Sequence, residues 1–428
     1  MTGLKSALAG LLLSSAFAVA ECGKHWVTTW ASMPQLVEPH NLPPTPFNGS
    51  TGVFVDSTLR QTVYLTQDAD IIRLYFSNAF GATDLPISGA TVGLPVNGTA
   101  GSAAVVPGSV QTVTFSGKSS FIIPPGALVV SDPLNFTIRA QTSLSVTAYL
   151  ATGQSGFAVT GHPGSRTTSH AAPGSHLTSP DLSVLPGAGK TDHWYFLSSI
   201  EAWLPTKHAT LAIVGDSITD GRGSTTNGNN RWPDQLLRLL QSSKETSHIA
   251  IANQAAGGNR VLNDGLGPSA LARLERDVTA QSGVKWALIY EGVNDLGTSP
   301  TDPASLSSTG DRLITAYDQI VTRLHRAGIA VFGATITPMS GPGQGYSDVG
   351  RERERQRVNE WIRGSGRFDG VVDFDEVVRD KSNGTQLATE YDTGDYLHVN
   401  VEGFGKMAER VVGSGLLEKW KGGWHGMV

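Results

Sequence analysis

Hydrophobic positions recur with two different periods along this chain, and the change of period divides it. From about Lys24 to Leu150, apolar and polar residues alternate. In Ile71-Ile72-Arg73-Leu74-Tyr75-Phe76-Ser77, the residues Ile72, Leu74 and Phe76 fall on one face of an extended strand. Leu144, Val146, Ala148 and Leu150 repeat the pattern, with Ser145, Thr147 and Tyr149 opposite. Similar runs occur at 59–65, 111–115, 120–123 and 134–138, separated by Gly, Pro, Asn and Asp. Closely spaced strands of this kind predict an all-β sandwich or jelly-roll-like domain. Residues 151–190 are rich in Gly, Ser, Thr, Pro and His, and at that length they read as a structured loop packed on a neighbour. A last strand is expected at 192–197, with the boundary near Pro205 and Thr206.

From Ala209 the texture changes. Apolar strand candidates at 211–214, 248–253, 286–290, 330–336 and 371–374 alternate with helical patterns at 234–240, 270–280, 310–327, 350–362 and 401–412. Buried strands alternating with amphipathic helices predict an α/β domain with a doubly wound parallel sheet. Sites in such sheets lie at the carboxyl ends of the strands. The expected division is a leader at 1–20, a β-sandwich-like domain at 21–206 and the α/β domain at 207–428.

Composition narrows the function classes. With 37 acidic against 32 basic residues and no Lys/Arg run, the chain is unsuited to nucleic acid or an anionic membrane surface. Residues 1–20 combine Lys5, an apolar stretch from Ala7 to Ala18 and an Ala18-Val19-Ala20 cleavage pattern, which predicts a secretory signal and an extracellular protein. That stretch is shorter than the roughly 20 residues a membrane span needs, so no stable membrane anchor is expected. Cys22 is the only cysteine, so no intrachain disulfide can form. Four N-x-[ST] sequons, at Asn48, Asn97, Asn135 and Asn383, are candidate glycosylation sites in surface loops.

Polar residues concentrate at the ends of the predicted parallel strands. The first runs into Gly215-Asp216-Ser217-Ile218-Thr219-Asp220-Gly221. A serine in a tight turn after a buried strand can serve as a nucleophile beside backbone N–H groups, or simply cap a helix. The second leads to Gly257-Gly258-Asn259, where paired glycines allow close backbone approach. The third ends in Glu291-Gly292-Val293-Asn294-Asp295, where Asn294 can offer an amide to developing negative charge or belong to a turn. Near the end, Asp395 precedes His398 by three residues, a spacing at which a carboxylate can orient an imidazole.

Taken in order, Gly215-Asp216-Ser217, Gly258, Gly292-x-Asn294-Asp295 and Asp395-x-x-His398 resemble the blocks of the SGNH hydrolases, the GDSL esterase/lipase family, over residues 208–417. The resemblance implies Ser217 as nucleophile, His398 as base and Asp395 as its orienting partner. It also implies an oxyanion hole from the backbone N–H of Ser217, that of Gly258 and the Asn294 side chain, with Gly257 as an alternative to Gly258. Ile218 stands where the family name has Leu. The implied activity is a carboxylic ester hydrolase working through an acyl-enzyme, without cofactor or metal. The expected substrate is a small-molecule or polysaccharide ester, short-chain or carbohydrate-linked. Lipid esters are an alternative, and a non-catalytic carbohydrate-binding protein is a reading from another class.

The first half resembles the N-terminal domain of some secreted members, through Trp26-Val27-Thr28-Thr29-Trp30-Ala31 and Ser77-Asn78-Ala79-Phe80-Gly81. Trp26, Trp30 and Phe80 read as core aromatics rather than a sugar platform. His162, His170 and His176 show no metal-ligand spacing, Asp216 and Asp220 are weak calcium candidates, and Arg351-Glu352-Arg353-Glu354-Arg355 reads as a solvated helix face.

Overall fold

A computed structural model describes residues 23–419. The leader at 1–20 and Cys22 lie outside the described residues.

The first half is built on two large antiparallel sheets, flanked by three small ones of two or three strands. One joins Lys24–Ala31, Leu197–Pro205, Ala69–Ser77 and Leu128–Val130, with Leu134–Ile138 also paired to Ala69–Ser77. The other runs Gly189–Thr191, Ser169–Pro173, Ser57–Tyr64, Ser143–Leu150, Gly89–Gly93 and Gln111–Val113. Their inner faces share one core, in which Ile72, Leu74 and Phe76 of the first sheet meet Leu144, Val146 and Ala148 of the second. The alternation of apolar positions is what lets each strand give one face to this core.

The opposite face of Ser143–Leu150 is also covered. Ser145 and Thr147 are buried, and Arg60 donates from Nε to Thr147 Oγ1 (2.9 Å), from Nη1 to Ala103 O (2.7 Å) and from Nη2 to Ser179 O (2.9 Å). Residues 151–190 are structured, carrying Thr160–His162 and Ser169–Pro173. Trp30 is buried edge-on against Trp194. Trp26 and Phe80 are half-buried, each beneath an arginine: Arg73 lies 4.2 Å from the Trp26 ring and Arg276 5.2 Å from the Phe80 ring.

The second half contains a five-stranded parallel sheet of Ala209–Gly215, Ile249–Ala255, Val284–Tyr290, Ala330–Ala334 and Gly370–Val372, in the spatial order second, first, third, fourth, fifth. Helices Trp232–Gln241, Pro303–Arg326, Val349–Gly364 and Val401–Gly413 bury their apolar sides in its core. The order reverses at the first strand, which opens a crevice at the carboxyl ends of the first and third strands. The two halves are hydrogen-bonded together. Gln67 Nε2 donates to Ser247 O (3.1 Å) and Ile249 O (2.9 Å), and Thr210 Oγ1 donates to Thr28 O (3.0 Å).

Several local expectations are corrected. The charged run at 351–355 is not a solvated face. Arg355 is fully buried, pairing with Asp375 (2.6 Å) and Glu352 (2.7 Å), and Glu354 is buried as well. Ion pairing makes these charges tolerable inside, where a hydropathy pattern assigns them to water. The helix expected at 270–280 is α-helical only over Ala270–Leu274 and continues as a wider π turn, Glu275–Thr279. Phe374 opens a short helix capped by Asp373 instead of ending a strand. Among the sequons, Asn97 and Asn383 are exposed outside the strands, Asn135 is exposed on a strand, and Asn48 is half-buried.

Candidate active site

The first parallel strand ends at Gly215, and Asp216 caps the short helix Ser217–Asp220 by accepting from Ile218 N–H (2.9 Å). This cap places Ser217 at the first helical position, where a backbone N–H has no intrahelical partner. Burial pushes the Asp216 carboxyl up to about 7, against the pull of the Ile218 N–H. Ser217 Oγ lies 2.9 Å from His398 Nε2, and His398 Nδ1 lies 2.6 Å from Asp395 Oδ2. The other Asp395 oxygen accepts the N–H groups of Leu397 (3.0 Å) and His398 (2.8 Å). Burial works against the Asp395 charge, but these bonds and the imidazole outweigh it and hold the carboxyl below its usual range. A carboxylate at that position keeps the proton on Nδ1 and leaves Nε2 free to accept from the serine.

Burial is also the largest influence on His398 and lowers its pKa. Asp395 pulls the other way, and Arg222 and Arg166 add to the lowering. Since the imidazole accepts a proton only when neutral, a role as base is lost as pH falls through that pKa. The kcat/KM profile is therefore expected to be flat from about pH 8 to neutrality and to fall with a midpoint below about 6.5, the ordinary histidine value. A midpoint above 7 in a pH–rate titration would contradict this assignment.

Gly258 adopts φ +70°, and a Cβ there would lie 2.6 Å from Leu266, so the turn requires glycine. The N–H of Gly257 is already given to Asp220 Oδ2 (3.1 Å). Those of Gly258 and Ser217 have no acceptor among the described residues, which favours Gly258 over Gly257 as an anion donor. Asn294 donates one amide hydrogen to Asn259 O (2.9 Å), and its Oδ1 accepts the Tyr346 hydroxyl (3.0 Å). These two bonds set the amide's orientation and leave one N–H for a ligand. Ser217, Gly258, Asn294 and His398 thus line a single cleft of about 420 Å³.

The supporting residues were not legible beforehand. Asp295, readable as half of a turn pair, accepts the N–H groups of Val261 (2.8 Å) and Leu262 (2.9 Å) and anchors the loop after Gly258. Arg273 is fully buried beneath the site and donates to Asn259 Oδ1 (3.0 Å), Asp277 (2.9 Å) and Glu291 (3.2 Å). Asp220, a weak calcium candidate by sequence, instead pairs with His162 of the first half, Nε2 to Oδ1 2.9 Å, both side chains being buried. The His162 Nδ1 sits 3.0 Å from Met33 O. His170 and His176 bond separately to Gly101 O and Pro173 O, and no three metal-ligating side chains cluster among the described residues. Gly164 admits this approach, since a Cβ there would lie 1.6 Å from Asp220 Oδ2.

One carboxylate thus joins the two halves and holds the backbone next to Gly258. His162→Ala leaves Asp220 short of a buried partner and is expected to cost about 1–3 kcal/mol of unfolding free energy. His162→Gln should recover part of that in denaturant titrations. Equal stability of His162→Ala and the parent would remove this role.

Comparison with known proteins places the same region. The GDSL-like lipase/acylhydrolase family matches residues 213–405. Among solved structures, a GDSL-like lipase from Bacteroides thetaiotaomicron is similar at 16% identity and a TM-score of 0.38, covering 50% of this chain and 91% of its own. An acetylxylan esterase from Geobacillus stearothermophilus is similar at 22% identity and a TM-score of 0.37, covering 48% of this chain and 93% of its own. A search of curated proteins finds no match. No helix among the described residues is long and apolar enough to cross a membrane. The stretch that matches the GDSL-like lipase/acylhydrolase family, residues 213–405, is the one that carries Ser217, Asn294, Asp395 and His398.

Proposed function

We propose that the protein hydrolyses short-chain or carbohydrate-linked acyl esters through Ser217, His398 and Asp395. His398 Nε2 takes the Ser217 proton as Oγ attacks the ester carbonyl. The tetrahedral oxyanion receives N–H bonds from Ser217, Gly258 and Asn294. Collapse releases the alcohol, protonated by His398, and leaves an acyl-serine. Water, deprotonated in turn by His398, then frees the acid and restores the serine. The observation that carries this reading is the unbroken chain from Asp395 through His398 to Ser217, beside two N–H groups with no acceptor among the described residues.

The lining that the first half gives the cleft supports the substrate class. It includes Gln35, Glu38, Asn41, Arg166 and His193. Polar and charged groups suit a hydroxylated leaving group better than a long alkyl chain. The leader-like residues 1–20 support an extracellular setting, where such glycan esters are met. A series of p-nitrophenyl esters from acetate to palmitate, run beside Ser217→Ala, tests the reading. Serine-dependent activity confined to acetate and butyrate is expected, and a maximum at octanoate or beyond would overturn the short-chain assignment in favour of lipid esters.

A further inference from the structure

Two arginines reach the same cleft from opposite halves of the molecule. Arg166 comes from the segment after His162, and Arg222 follows the nucleophile turn, its backbone N–H bonded to Ser217 O (2.8 Å). Neither guanidinium has an acceptor or ion-pair partner among the described residues, and Arg166 Nε is buried with nothing to bond. Other arginines in the interior differ. Arg60, Arg231, Arg273 and Arg355 hand their N–H groups to carbonyls, hydroxyls or carboxylates.

The backbone at Arg166 is held in a conformation rare for a side-chain-bearing residue, φ +49°. Its surroundings determine it on both sides. Ser165 Oγ donates to Asp192 O (2.8 Å), Arg166 O accepts from Asn227 N–H (2.9 Å), and Thr168 N–H donates to Asn227 Oδ1 (2.8 Å). Strain over-determined in this way recurs where a side chain must be aimed at a ligand.

The acidic groups of the cleft are already engaged. Glu38 accepts from Gln35 (2.7 Å) and Asn41 (3.0 Å), Asp220 from His162 and Gly257, and Asp395 from His398. The cations are therefore the groups left to meet a ligand.

We propose that Arg166 and Arg222 form an anion subsite spanning the two halves, which selects esters bearing a carboxylate or phosphate near the scissile bond. The forked guanidinium pairs with either oxyanion in two parallel bonds. The proposal rests on the ester-hydrolase reading of the same cleft.

Three matched acetyl esters test it: 4-acetoxybenzoate, 4-acetoxyphenyl phosphate and the neutral 4-acetoxybenzamide. For the parent, kcat/KM on the better anion is expected to exceed that on the amide by about tenfold, the worth of one charge-assisted bond. Which anion leads identifies the group selected. Arg166→Gln and Arg222→Gln should each collapse the anion-to-amide ratio, as should raising salt to about 1 M, where charges are screened within roughly 3 Å. Arg222 is exposed, so Arg222→Gln keeps the test open if Arg166→Gln fails to fold. Equal rates on all three esters, or an unchanged ratio in the folded variant, would overturn the subsite while leaving the hydrolase reading standing. Absence of Ser217-dependent hydrolysis of any of them would remove both.

Discussion

Ser217→Ala is expected to lower kcat by about 10⁶-fold, the loss typical when a triad serine is deleted. The magnitude follows from the division of labour in the cleft. Without Oγ no acyl-enzyme forms, and the remaining N–H donors and His398 can only assist direct attack by a water that lacks the serine's fixed position. His398→Ala should cost about as much, and the double variant hardly more, because the two groups act as one unit across their 2.9 Å contact. Steady-state kinetics on p-nitrophenyl acetate checks this. A Ser217→Ala enzyme within tenfold of the parent would exclude the serine mechanism, and a double variant far below either single would exclude the shared step.

The second large effect is at the oxyanion. Asn294→Ala is expected to reduce kcat by about 10²–10³ with little change in KM, since its free N–H meets charge that develops only in the transition state. Tyr346→Phe should reproduce part of this loss. It removes the hydroxyl bonded to Asn294 Oδ1 and frees the amide to turn, while Asn259 O still holds its Nδ2. A positioning role predicts that Tyr346→Phe lowers kcat alone, whereas a substrate-binding tyrosine would raise KM. A near-normal rate for Asn294→Ala would remove that residue from the mechanism.

Much of this architecture could be read before folding. The period of two in residues 71–77 places Ile72, Leu74 and Phe76 in the sandwich core. The unbroken apolar run at 211–214 becomes a central strand, and its end delivers Ser217 to the crevice. Such inferences succeed because periodicity and strand-end turns are local properties of the chain. They fail where a residue's partner is distant. Arg355 reads as solvated until Asp375 and Glu352 enclose it, and Asp220 reads as an acidic turn until His162, 58 residues earlier, meets it.

The sequence by itself determined the two textures, the parallel strands with their polar ends, and the identities of Ser217, Asn294, Asp395 and His398 as a candidate set. Only tertiary structure decided that Ser217 and His398, 181 residues apart, share a hydrogen bond. It also decided that Gly257 is occupied and Gly258 free, and that the first half supplies part of the cleft's lining. The physical reason is that hydrophobic burial depends on pattern, which a chain displays along its length. Hydrogen bonding and charge pairing depend instead on distances of about 3 Å, which exist only after the halves have packed.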